Sequence, residues 1–151
     1  MVTQNTWTHK GRLVTDITDM PEGSYGFIYQ ITHKSTSKKY IGKKVLYFER
    51  SKKLTKKELA EQTGKGRKPT SKKVTTESDW KTYYGSQKDF AELVKIFGKE
   101  DFDREILEFV PSKKLLTYYE CKYLFSVGAI EPNSLYYNDN LLGKFFRKDF
   151  L

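Results

Sequence analysis

The sequence predicts a mixed α/β fold of the α+β kind, one small three-stranded antiparallel sheet flanked by helices. Three observations carry this reading. Tyr25, Phe27, Tyr29 and Ile31 recur at every second position, the period of a strand with one buried face. Phe90, Leu93, Val94 and Phe97 recur at steps of three and four, the period of a helix. The run Phe102-Asp-Arg-Glu-Ile-Leu-Glu-Phe-Val110 reads as a strand stopped by Pro111, with Ser112 placed to cap a second helix. A chain of 151 residues has room for one domain that buries roughly two-thirds of its unfolded surface, and not for two independent cores.

In chain order, residues 1–22 are polar, lack periodicity and end in Pro21-Glu22-Gly23, which marks them as an N-terminal extension to a domain over 23–151. The first strand, Tyr25–Ile31, is followed by the turn-like His33-Lys-Ser-Thr-Ser-Lys-Lys39. A second strand, Tyr40-Ile-Gly-Lys-Lys-Val-Leu46, completes a hairpin. Residues 51–78 then form a basic insertion with nine Lys or Arg against three Glu, two-thirds of the charge of the whole chain. Within it Leu54–Gln62 reads as a short helix and Gly64-Lys-Gly-Arg-Lys-Pro69 as a loop. Trp80 and the turn-like Tyr83-Tyr84-Gly85-Ser86 lead to the helix around Phe90, which Gly98 ends. After the third strand, the Ser112-capped helix runs to about Val127, where Gly128 stops it. The tail contains Tyr136-Tyr137-Asn138-Asp139-Asn140 and the basic Lys144-Phe-Phe-Arg-Lys148.

Charge narrows the partners. The chain carries 28 Lys and Arg against 19 Asp and Glu, a net charge of +9 that favours nucleic acid, an acidic membrane or an acidic protein. Aromatics at 15% compensate for a hydrophobic fraction of only 37% and argue for a folded domain over a disordered one. The first ten residues lack the apolar core of a secretory signal, and no apolar run approaches membrane-spanning length. One cysteine, Cys121, has no internal partner, as expected of a protein of the reducing cytoplasm. With only that Cys, His9 and His33, a zinc site of nitrogen and sulfur ligands is excluded, and any metal must be hard and held by oxygen.

Several residues sit badly in a merely structural reading. Leu116, Glu120 and Leu124 fall one above another on one helix face, which puts a carboxylate on an apolar stripe. There it loses hydration unless a cation compensates, either a lysine at the edge of the face or a metal. Tyr29 and Tyr40 lie on adjacent strands, where tyrosines ordinarily pack half-buried, although a phenol near a cation loses its proton more readily. Gly26 and Gly42 fall inside strands, a position that marks close approach of a backbone or ligand. Arg50 opens the basic stretch; it is either a solvated charge or a planar fork for a phosphate.

Taken together these residues resemble the GIY-YIG nuclease family. The first motif stands as Gly26-Phe27-Ile28-Tyr29, one residue longer than its name, and the second intact as Tyr40-Ile41-Gly42. Arg50 stands about where the family arginine is expected, and Glu120 matches its metal-binding glutamate. Asn138 matches its late asparagine, with Asn140 a competing assignment; the resemblance covers roughly residues 24–142. The stretches Ser78–Ser86 and Phe102–Ile106 also look like small phage-borne members, many of them homing endonucleases. One departure is Leu54, which occupies the place, one helical turn past the arginine, where many members carry His or Tyr. Tyr47 or a lysine of the insertion substitutes for it, or the insertion shifts the alignment.

The resemblance implies hydrolysis of phosphodiester bonds in double-stranded DNA with one divalent ion, Mg²⁺ or Mn²⁺, anchored by Glu120. It implies that Tyr29, with Tyr40 beside it, deprotonates or orients the attacking water, and that Arg50 holds the phosphate. Free tyrosine titrates near about 10, so a basic Tyr29 requires a cationic neighbourhood. Lys43 and Lys44 alternate faces, so at most one points into the site. Lys52, Lys53, Arg67, Lys68, Lys72 and Lys73 are expected to track the DNA backbone, and Trp80 either contacts nucleic acid or packs in the core. A single site cuts one strand at a time, so a double-strand break needs a homodimer on DNA or sequential nicking. For a phage-encoded member, the compartment is the host cytoplasm. The runner-up reading is a non-catalytic basic DNA- or RNA-binding protein, which leaves Glu120 and the paired tyrosines unexplained; a protein for an acidic partner explains the charge alone.

Overall fold

The computed structural model describes residues 6–151. The chain forms two compact units: the described residues up to Leu46 together with Asp79–Leu151, and Tyr47–Ser78.

The larger unit is built on a five-stranded sheet. Its strands are β1 (Trp7–His9), β2 (Arg12–Val14), β3 (Gly26–His33), β4 (Lys39–Val45) and, after the second unit, β7 (Phe102–Val110), in the order β2-β1-β7-β3-β4. The expected sheet of three strands is therefore corrected to five. The additional two come from the stretch expected to be a polar extension. Lys10 and Gly11 both take positive φ and close the β1–β2 hairpin as a two-residue turn, and β1 joins β7 in parallel. Trp7 and Val14, opposite each other, are buried, and the Trp7 indole donates to the Trp80 carbonyl at 2.7 Å. Two short strands with one large apolar residue each carry almost no periodicity, which hid them.

The three central strands fall where the alternation placed them. β3 is buried on both faces, because helices cover the sheet on each side. Phe27, Tyr29 and Ile31 pack with Trp7, Trp80 and Phe90 on one face, while Ile28 and Ile41 pack with Leu116 and Leu124 on the other. Tyr25, expected to share the face of Phe27, precedes the strand and packs on the opposite side. A bulge at Leu107, between the pairs Ile28↔Glu108 and Tyr29↔Ile106, shifts the β3–β7 register by one residue.

Two helices of this unit obey their sequence signals. α2 (Lys88–Phe97) buries Phe90 and Val94 and stops at Gly98, whose φ of 85° a side chain would resist. α3 (Lys113–Ser126) begins with the Ser112 hydroxyl accepting from the Leu115 amide at 3.3 Å. It ends in a Schellman motif: Gly128 N–H donates to Phe125 and Ala129 N–H to Leu124. The tail adds the small hairpin of β8 (Asn140–Leu141) and β9 (Phe145–Phe146). Arg147, read only as part of a basic tail, instead turns its guanidinium inward onto the carbonyls of Ala129, Tyr136 and Asn138 at 2.5–2.8 Å.

The second unit is an antiparallel ribbon of β5 (Tyr47–Lys53) and β6 (Ser71–Glu77), with the short helix α1 (Lys56–Ala60) between them. It starts at Tyr47, four residues before the composition changes. The helix expected over Leu54–Gln62 is shorter than expected, and Thr55 caps it through a reciprocal bond with Glu58.

Candidate active site

β4 is the edge strand that organises the site. Tyr40, Gly42 and Lys44 face one side of the sheet and Ile41 and Lys43 the other, as strand alternation requires. Gly42 is small because Tyr29, directly opposite on β3, lays its ring across it. A β-carbon at Gly42 would overlap the Tyr29 hydroxyl and lie 2.5 Å from its Cζ. A β-carbon at Gly26 would lie 2.5 Å from the Lys44 carbonyl and press on Leu116. The close approaches expected at these two strand glycines are thus present, one to a side chain and one to backbone.

Tyr29 is almost wholly buried and sits among other rings, with Tyr40 at 6.3 Å and Tyr83 edge-on at 5.8 Å. Burial first, then the neighbouring Tyr83 and Tyr40, hold its pKa well above the ordinary tyrosine value. Tyr40 stacks on Phe90 at 4.9 Å, and burial, followed by Tyr83 and Glu120, raises its hydroxyl as well. The chain's own residues therefore do not supply the cationic neighbourhood that a basic tyrosine requires. Both phenols stay protonated near neutral pH, the form that carries an O–H donor.

Glu120 reaches the site from α3. Its side chain is one-fifth exposed, and Lys43 Nζ lies 3.9 Å from its Oε1 while donating to Thr117 Oγ1 at 3.0 Å. Burial raises the Glu120 carboxyl, and Lys43 only partly offsets this. Lys43 is thus the lysine of the pair that points toward Glu120. Lys44 turns to the other face, buried, with its ammonium 2.6 Å from Asp79 and 3.9 Å from the Tyr83 ring. The expectation that Lys44 contacts DNA is corrected on that ground. Trp80 is corrected likewise: it is fully buried in the core, with no ring face left for a nucleic acid.

Asn138 is buried and grips β4, accepting from the Ile41 amide at 3.0 Å and donating to its carbonyl at 2.8 Å. Both ends of its amide are occupied by backbone, so it positions Tyr40 and Gly42. The competing Asn140 is exposed and spends its carbonyl oxygen on the turn at Gly143. A cleft of about 260 Å³ opens between Tyr40, Glu120 and Asn138, and Ser86, Gln87 and Asp139 also line it. Sequence reasoning missed these last three. The resemblance of Ser78–Ser86 to known members was the available signal for Ser86, and Asp139 stood beside Asn138.

Arg50 lies on β5, exposed and opposite Val74 in the ribbon unit. Leu54 follows that strand and donates its amide to Thr70, so no helical turn separates the two residues. The comparison of Leu54 with a family position one turn past the arginine is corrected accordingly. Lys52, Lys53, Arg67, Lys68, Lys72 and Lys73 are exposed on this same unit; Lys72 pairs with Glu58 at 2.7 Å and Lys68 donates to the Gln62 carbonyl.

Tyr40 on the β3–β4 hairpin and Glu120 on α3 thus face one polar cleft, with Tyr29 packed behind Tyr40. A family model described as "Putative endonuclease segE, GIY-YIG domain" matches residues 7–141. The chain belongs to the GIY-YIG nuclease family. Comparison with curated proteins and with solved structures returned no match. The matched segment begins at Trp7, in agreement with the place of β1 in the sheet. No helix among the described residues is long and apolar enough to cross a membrane.

Proposed function

We propose that this protein is a metal-dependent endonuclease that hydrolyses phosphodiester bonds of double-stranded DNA. The observation that carries the reading is Glu120, a partly buried carboxylate at a polar cleft edged by Tyr40 and Asn138. Its desolvation is a standing cost that a bound cation would offset.

The donor set suits a hard divalent ion such as Mg²⁺ or Mn²⁺. No cluster of three His, Cys, Asp or Glu occurs among the described residues, which leaves Glu120 with Asp139 lining the same cleft. An ion held by one or two carboxylates that keeps several waters and takes substrate oxygens needs no more. When bound, the ion polarises the phosphoryl group and stabilises the leaving 3′ oxygen. Glu120 holds it, and Lys43 adds positive charge toward the phosphate. Tyr40, a protonated phenol on the cleft wall, donates a hydrogen bond that orients water or a phosphate oxygen, and Tyr29, packed behind it, holds that ring in place. Asn138 fixes the strand that carries Tyr40, and Arg50 supplies a phosphate contact from the ribbon. Mobility of DNA elements, the role of many similar small members, is the biological setting we favour.

Purified protein incubated with supercoiled plasmid tests the reading. Mg²⁺-dependent nicking or linearisation is expected, and Glu120→Ala should abolish it while leaving DNA binding and the thermal transition in place. Bound but uncut DNA in every divalent metal would overturn it in favour of a binding protein.

A further inference from the structure

The ribbon Tyr47–Ser78 has no core of its own. Every β5 residue is exposed, and in β6 only Val74 is half-buried. Isolated two-stranded ribbons are marginal in water, and sheets ordinarily bury one face. The Lys52↔Lys72 pair adds like charges directly opposite each other. Such an element gains most by lying against a polyanion.

Its two faces differ. Phe48, Arg50, Lys52, Lys72, Val74 and Thr76 share one; α1 reaches it through the Glu58–Lys72 pair, and Val74 on it is half-buried. The opposite face is open. Toward the ribbon tip that open face carries Ser51, Lys53, Ser71, Lys73 and Thr75, which are hydroxyls and ammoniums without a carboxylate. The acids of the same face, Glu49 and Glu77, stand near the end where the chain enters and leaves the ribbon.

We propose that this ribbon enters the major groove of duplex DNA with its open face toward the base edges, so that Ser51, Lys53, Ser71, Lys73 and Thr75 select the sequence. The proposal rests on duplex DNA being the substrate and adds to it the element that reads the site. Dimensions agree: strands spaced about 4.8 Å apart make a ribbon that a groove about 12 Å wide admits. Hydroxyls serve as both donors and acceptors to base edges, and lysine donates to guanine. Lysines and arginine outside the open face are left to meet the phosphate walls.

The test uses the full chain carrying Glu120→Ala, without divalent metal, and fluorescence anisotropy on random-sequence duplex. Methyl green, a major-groove ligand, should displace the protein, and netropsin, a minor-groove ligand, should not. Selection from a random duplex pool should then yield a sequence preference that Ser51→Ala/Thr75→Ala shifts by about tenfold or more, with little change in affinity for the unselected pool. Displacement by netropsin alone, an unchanged preference, or binding to anionic vesicles in place of duplex would each overturn the proposal. Both substitutions are at exposed positions, and a circular dichroism melt confirms the fold. Wild-type plasmid cleavage, run separately, decides the nuclease reading: its failure would leave the groove assay readable, and failure of the groove assay would leave cleavage intact.

Discussion

Glu120 sits on α3 between Leu116 and Leu124, and burial raises its carboxyl above the ordinary glutamate range. Because the folded-state value lies above the unfolded one, folding favours the protonated form. The cost of ionisation is absent below the ordinary carboxylate range, grows as pH rises and is complete above the raised value. Glu120→Gln is therefore expected to raise the melting temperature at neutral pH and to leave it unchanged in acid. Paired thermal melts across pH check this, and a difference independent of pH would show that the carboxyl is not perturbed. Metal affinity should run the opposite way, falling as the carboxyl protonates. Periodicity alone placed Glu120 on an apolar face and left open whether a lysine or a metal compensates it. Lys43 at 3.9 Å shows that the lysine is present, yet too weak to cancel desolvation.

The β3–β4 hairpin turns two short motifs into a scaffold. Gly42 exists in its present form because the Tyr29 ring occupies the space a side chain would fill. Gly42→Ala should displace Tyr29 and cost about 1–3 kcal/mol, the usual penalty of overpacking, measurable by urea denaturation. It should also lower plasmid nicking, since Tyr29 no longer packs behind Tyr40; unchanged nicking would show that this packing is not needed for the site. Asn138 acts at the same scale through its paired bonds to Ile41. Asn138→Ala strands two backbone groups at about 1–3 kcal/mol each where they remain buried, and the same denaturation experiment should find a loss of roughly 2–4 kcal/mol. Strand and helix periods made β3, β4, β7, α2 and α3 legible. The β1–β2 hairpin was not, because three-residue strands show no period and its stability comes from pairing with β7, almost a hundred residues later in the chain.

Over the whole molecule, charge is concentrated on one element. Residues 51–78 hold two-thirds of the net charge, and the structure makes them a ribbon unit with exposed lysines. Neutralising Lys52, Lys53, Arg67, Lys68, Lys72 and Lys73 should weaken binding to duplex DNA of any sequence. Lys53 and Lys73 lie on the face proposed to meet base edges, so the slope of log affinity against log salt should flatten by up to about 3.6, slightly less than one for each of the other four charges. Anisotropy titrations at several salt concentrations measure it, and an unchanged slope would show that these side chains do not meet phosphates. Lys72, already paired with Glu58, should contribute least.

The order of residues alone was enough to establish the family, the succession of the central elements, the excess of positive charge and the carboxylate on an apolar helix face. These are local or summed properties: period two, period three to four, capping residues, composition and short motifs. Folding in three dimensions was needed to establish that the sheet has five strands, that Lys44 and Trp80 are buried, that Tyr29 and Tyr40 remain protonated phenols, and that Arg50 rides on a ribbon. Each of those depends on which residues distant in the chain are brought together, and burial, which sets both packing and proton affinity, exists only once they have met.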